Sequence, residues 1–187
     1  MHYIGSEAPT TDLQTETLQA FETIMVAQSQ ECIYEKAKSD PVLGKKSDLV
    51  AKIAMQASSL FVDAIKTLAA VENATVLDPV LSQCKEKKEY YELKAQYHEA
   101  MSCYGKKKFG ESIARFKSVE GRVKSFRNRY LPDEGVKDFV KSFNFGKSKA
   151  ESDNSMIYHD IIPKLTALPE IGKASIAKPK PYNEPYP

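Results

Sequence analysis

The chain has 187 residues, enough for one domain with a real core, and its 42% hydrophobic and 28% charged residues are ordinary for a soluble globular protein. Twenty-seven basic against 25 acidic residues leave a net charge of only +2, so nucleic-acid binding is not expected from charge balance. Cys32, Cys84 and Cys103 are far apart and form no C-x-x-C pair, which argues for reduced thiols and against a zinc site or disulfide framework. The first residues lack the order of a signal peptide, and no run approaches the roughly 18 apolar residues of a membrane span.

Residues 1–10 read as a disordered lead-in, and Thr11-Asp12 offers a cap for a first helix running to about Lys38. Asp40-Pro41 ends it, because the residue before proline is pushed out of the helical region. A second helix is expected from Ser47 to about Val71, and Glu72-Asn73 and Asp78-Pro79 bracket the next connection. A third, charged and carrying Tyr90, Tyr91, Tyr97 and Tyr104, should run from Pro79 to Lys106. The fourth spans about 109–130 with Phe116, Val119, Val123, Phe126 and Tyr130 on one face. The fifth spans about 136–152, irregular near Asn144-Phe145-Gly146. Residues 161–187 hold six of the ten prolines together with Ile161, Ile162, Leu165, Leu168, Ile171 and Ile176. They read as an extended strap laid across the helices. The expected fold is therefore all-α: antiparallel helical hairpins in a solenoid-like, tetratricopeptide-like layer over residues 11–160, closed by a Pro-rich C-terminal strap.

No enzyme signature emerges. Glu35, Glu86, Glu89 and Glu92 are scattered among lysines at helical spacing, as on solvated faces. His98 beside Glu99 has no second histidine four residues on, and His159 has no nucleophile nearby in sequence. Gly105-Lys-Lys-Lys-Phe-Gly110 lacks both the ending and the preceding strand of a phosphate loop. No cofactor or metal site is expected. A basic cluster, Lys106, Lys107, Lys108, Arg115, Lys117, Arg122, Lys124, Arg127 and Arg129, flanks the Phe116/Val123 stripe. It reads either as long side chains beside a buried face or as a contact for anionic lipid or an acidic surface, with Lys107, Lys108, Arg122 and Arg129 as candidates. The tail PKPYNEPYP contains no P-x-x-P.

The richest stretch is the hairpin from Ile24 to Lys66. On its first arm Leu18, Phe21, Met25, Gln28 and Cys32 recur at helical spacing, with Val26 and Ile33 at the edge. On its second, Val50, Ala57, Phe61, Ala64 and Leu68 do so, with Leu49 and Ile53 on the shoulder. Stripes this wide either pack against two neighbours or leave an edge open for a partner helix.

AQSQECIYEKAKSD followed by DLVAKIAMQASSLF resembles the central hairpin of the Bro-one domain family. The likeness continues through KKFGESIARF, DNSMIYHDIIPKL and IGKASIAKPKPYN, in the family's order and over nearly the whole chain, and covers the second half of such a domain. The resemblance implies a non-enzymatic cytoplasmic adaptor, recruited to endosomal membranes through the C-terminal amphipathic helix of an ESCRT-III subunit of the Snf-seven class. Carried over, the docking groove is Ile33, Lys36, Leu49 and Ile53, with Lys45 or Lys46 at the rim, and Leu49 and Ile53 are expected to lie uncovered. Ile33 stands where the best-known member has phenylalanine. The resemblance also makes Tyr158 a candidate for phosphorylation by a Src-type kinase. Should the missing half normally cover Leu18, Phe21 and Met25, that apolar face is expected to be exposed and open to self-association.

Overall fold

The structure, a computed structural model, describes residues 14–71, 75–130 and 133–179. The lead-in, the Thr11-Asp12 cap, Glu72-Asn73 and the last eight residues lie outside them. Five helices follow in the expected order: α1 (Thr15–Ser39), α2 (Ser47–Ala69), α3 (Asp78–Gly105), α4 (Phe109–Tyr130) and α5 (Glu134–Asp153). Among the described residues there is no strand. In chain order α2 packs against α1 and α3, α4 against α3, and α5 against α4.

The turns follow from their polar residues. Asp40 ends α1, and its carboxylate accepts the backbone N–H groups of Val42 and Leu43, both at 2.8 Å. Those two hydrogen bonds hold its pKa below the usual value. Asp133 caps α5 by accepting from the Val136 N–H at 2.9 Å, so α5 starts at Glu134, two residues before the Val136 expected from apolar spacing alone. The expected irregularity near Asn144–Gly146 is absent, and α5 runs on through it. Gly146 instead serves packing: a Cβ there would come within 3.1 Å of the Phe116 ring and 3.0 Å of Met101 Sδ.

Two apolar clusters share α3. The first joins α1, α2 and the start of α3 around Tyr34, Phe61, Leu68 and Tyr91. The second joins the rest of α3 to α4 and α5 around Phe116, Val123, Phe126 and Phe143. On α2 and α4 the expected apolar stripes are buried, Val50, Ala57, Phe61, Ala64 and Leu68 on one and Phe116, Val119, Val123 and Phe126 on the other, with Tyr130 half-buried. α1 differs. Its buried face is Ala20, Ile24, Ala27, Gln30, Tyr34 and Ala37, whereas Leu18, Phe21 and Met25 are 52%, 37% and 61% exposed. Alanines let α1 approach α2 closely, and the larger side chains on the opposite side face outward.

After a wide π turn, Asn154–Tyr158, the strap begins at Asp160. Its carboxylate accepts from Phe109 N at 2.9 Å, capping α4. Farther on, Arg115 donates to the Pro169 carbonyl at 2.7 Å, and Ala174 N donates to the Lys52 carbonyl at 3.1 Å. The last tie is the side-chain amide of Gln30, buried in α1. Its nitrogen donates to the carbonyls of Ala174 at 2.9 Å and Ile53 at 3.3 Å, and its oxygen accepts from Ala177 N at 3.0 Å and Ile176 N at 3.3 Å. Ile171 and Ala174 pack on the first core. Ile161, Ile162, Leu165 and Ile176 remain exposed, so hydrogen bonds contribute more of the strap's anchorage than its isoleucines do.

Gln30→Ala should leave those partly buried strap groups without their partner, at about 1 kcal/mol for each hydrogen bond lost. Hydrogen exchange should rise over residues 174–177 while α3–α5 keep their protection.

Candidate functional site

The proposed groove residues fall along one edge of the α1–α2 hairpin. Ile33 and Leu49 are half-buried and pack against the first core. Lys36, Lys45 and Lys46 are exposed, and none forms an ion pair among the described residues. Ile53 departs from expectation. It is 2% exposed and a member of the core itself. Three residues after Val50 and four before Ala57, it belongs to the buried stripe of α2, and the Gln30 amide bridges its backbone carbonyl to that of Ala174 in the strap. An accessible surface at this edge therefore consists of Ile33 and Leu49 with a lysine rim, and Ile53 supports it from below.

The basic cluster does not form one cationic face. Arg115 is buried and donates to Gln96 and Pro169. Arg122 makes a two-pronged pair with Glu92, at 2.8 and 3.0 Å, Arg129 pairs with Glu89 at 2.5 Å, and Lys108 with Glu111 at 3.0 Å. Lys106 reaches Asp48 at 3.9 Å. Lys107 remains exposed and occupies a left-handed backbone position with φ of 61° at the α3–α4 turn. Tyr158 is 45% exposed, and its ring stacks on Phe109 with centroids 3.9 Å apart. It is accessible rather than a core tyrosine.

Sequence reading passed over a second constellation, on the other shoulder of α1. Tyr34, Glu35 and Lys38 of α1, Tyr90, Lys94, Tyr97 and His98 of α3, and Asp138, Phe139, Lys141 and Phe145 of α5 line an open groove of about 810 Å³. At its floor the buried Lys94 ammonium donates to Glu35 at 3.0 Å. It also lies 4.0 Å from the Tyr90 ring centre, 4.8 Å from Tyr34 and 5.1 Å from Tyr91. Burial pushes the Lys94 pKa down, against the pull of Glu35. Burial alone would raise the Glu35 carboxyl, but Lys94 and Lys38 outweigh it and hold the pKa below the ordinary value. Tyr34 Oη and His98 Nε2 are 2.8 Å apart. The signal was present in the sequence: Tyr90, Lys94, Tyr97 and His98 follow an i, i+4, i+7, i+8 spacing, one face of α3. Among the described residues no group of three or more metal-ligating side chains gathers, and no helix is long and apolar enough to cross a membrane.

A model of the BRO1-like domain family matches residues 2–187. The programmed cell death 6-interacting protein of Mus musculus is 36% identical over 180 residues, covering 96% of this chain and 20% of the relative. The apoptosis-linked gene 2-interacting protein X 1 of Caenorhabditis elegans is 31% identical over 182 residues, with coverage of 96% and 20%. The pH-response regulator protein palA/RIM20 of Emericella nidulans is 32% identical over 181 residues, with coverage of 92% and 20%. The chain thus spans about a fifth of the length of these curated relatives. Among solved structures, the ALIX BRO1 CHMP4C complex matches with a TM-score of 0.82 and 35% identity, over 95% of this chain and 48% of that one. A Bro1 domain solved as a structural basis for endosomal targeting matches with a TM-score of 0.77 over 92% of this chain and 48% of that one. At 19% identity it speaks for the fold alone.

The His98 contact has a consequence in acid. Burial first, then the cations of Lys94 and Lys38, hold its imidazole pKa down at about 4, against an ordinary 6.5. As pH falls below about 6.5 the unfolded chain takes up a proton that the folded chain refuses, so stability is lost from there down to about pH 4. The loss should be of the order of 2 kcal/mol, discounted for partial exposure of the ring. Denaturant midpoints measured from pH 7 to pH 4 should fall in the wild type and fall less in His98→Gln.

Proposed function

Because the chain belongs to the BRO1-like domain family, we propose that it is a non-catalytic adaptor module. In this reading it binds the C-terminal amphipathic helix of an ESCRT-III subunit of the Snf-seven class and is thereby recruited from the cytoplasm to endosomal membranes. The observation that carries the reading is the α1–α2 edge. Half-buried Ile33 and Leu49 both pack on the first core, and Lys36 and Lys46 of the same hairpin are exposed without an ion pair among the described residues, in a hairpin array that superposes on a BRO1 domain solved with CHMP4C. The apolar pair would take the nonpolar stripe of the incoming helix, and the lysines would meet its acidic flank and set orientation. Ile53 contributes by keeping α2 seated beneath Leu49, and it makes no contact of its own with the partner.

The competing reading, docking of anionic membrane through the 106–129 cluster, rests on exposed Lys107, Lys117, Lys124 and Arg127, which form no ion pair among the described residues, without the help of the cluster's other members. Lys106, Lys108, Arg122 and Arg129 are already spent on carboxylates, and Arg115 is buried. Tyr158 is exposed enough for a kinase to reach it once its ring lifts from Phe109.

Titration of a labelled ESCRT-III C-terminal peptide tests the site. Leu49→Asp places an unpaired charge in an apolar contact and should weaken binding about a hundredfold with a native circular dichroism spectrum. Arg122→Glu combined with Arg129→Glu should leave the affinity unchanged. Unaltered binding by Leu49→Asp would remove this edge as the site. Ile53→Asp should instead fail by unfolding, since even truncation of such a residue costs about 2–5 kcal/mol.

A further inference from the structure

We infer that the aromatic groove between α1, α3 and α5 is a second docking site, and that it takes an acidic amphipathic peptide segment. It lies on the shoulder of α1 opposite the α1–α2 edge, shares no residue with that edge, and does not depend on what binds there. Three observations lead to this occupant.

The first is shape and lining. The groove is open, about 810 Å³ in volume, within the range of sites that hold a compact ligand or a few side chains of a peptide. Its walls are Tyr34, Tyr90, Tyr97, Phe139 and Phe145. Phe145 projects from α5 at the rim and is 70% exposed, although α5 buries its other phenylalanines, Phe139 and Phe143. Odd-numbered helices of a stacked hairpin array line one common side, the usual binding surface of such arrays.

The second is charge. Lys38, Lys94 and Lys141 face Glu35 and Asp138 across the groove. Glu35 is engaged twice, by Lys94 and by Lys38, each at 3.0 Å. Lys141 forms no ion pair among the described residues. The surplus is positive, so the groove favours a ligand carboxylate over a ligand cation.

The third is an incompletely used buried donor. Lys94 is 5% exposed, and its ammonium has three protons. Among the described residues it makes one hydrogen bond, to Glu35, and otherwise rests on tyrosine faces. The ring faces hold the cation in place and engage its other N–H groups only weakly, so a carboxylate can replace a ring as the partner of one of them. A carboxylate entering over Phe139 would gain a charge-assisted hydrogen bond from a lysine already desolvated and oriented. The fitting ligand therefore carries a bulky apolar side chain for the Tyr97–Phe139–Phe145 wall and a carboxylate one helical turn away for Lys94 and Lys141.

The test uses a synthetic 16-residue helical peptide with Leu and Phe on one face and Glu at the flanking positions, and its Glu→Gln counterpart. Binding to the full chain is followed by fluorescence anisotropy and by amide chemical-shift mapping. The expected result is saturable binding of the Glu peptide, with shifts at residues 94–98 and 139–145. The Gln peptide, Phe145→Ala and Lys141→Glu should each weaken binding about tenfold, and Leu49→Asp should change nothing. Both substituted residues are exposed, and an unchanged thermal midpoint confirms that the variants fold. The inference is overturned by absence of binding at millimolar peptide, by equal affinity of the Gln peptide, or by indifference to both groove variants. It is also overturned by loss of binding on Leu49→Asp, which would place the peptide on the α1–α2 edge. Concentration-dependent dimerisation abolished by Phe145→Ala would overturn it too, assigning the groove to a second copy of this chain.

Discussion

Two neighbouring tyrosines on α3 fix how the rest of the chain is spaced. Tyr90 stacks on Phe126 of α4 with centroids 5.3 Å apart and rings parallel to within 1°. Tyr91 stacks on Phe61 of α2 at 6.1 Å and 11°. Consecutive residues on a helix point about 100° apart, so the pair sends one ring into each core. The distance between the hairpins, and hence the position of α1 and α5 on either side of α3, follows from that division. Lys94, one turn on, lies against both rings and against Tyr34 of α1, tying α1 to the same point through Glu35.

With α1 so placed, its two shoulders have different fates. On the side of Gln30 the strap crosses, and one amide holds the backbone of α2 and the strap together through four hydrogen bonds. That closure leaves Ile33 and Leu49 as an edge. On the side of Glu35 and Lys38 no segment crosses among the described residues, and the aromatic groove stays open.

The apolar stripes of α2 and α4 and the stop at Asp40 were legible, whereas the Asp133 cap that starts α5 was not. Packing by small residues was not legible either. Alanines at 20, 27 and 37 build the buried face of α1, while the more conspicuous Leu18, Phe21 and Met25 look outward. Ile53 was misplaced although its spacing from Val50 and Ala57 puts it on the buried stripe of α2, because the resemblance assigned it to the open groove. The α1–α2 edge was legible only through resemblance to a family. The Lys94 groove was written in α3 at helical spacing, but its meaning needed Tyr34 and Phe139, which only the fold brings near.

The central claim is that a foreign helix lies against Ile33 and Leu49 beside the strap. A nitroxide placed on the ESCRT-III peptide, read through methyl signals of the chain, tests it most directly. The account predicts strong broadening of the Ile33 and Leu49 methyls, weaker broadening at Ile171, and none at Val136 or Val140 on α5. Broadening centred on α5 with Leu49 untouched would contradict it.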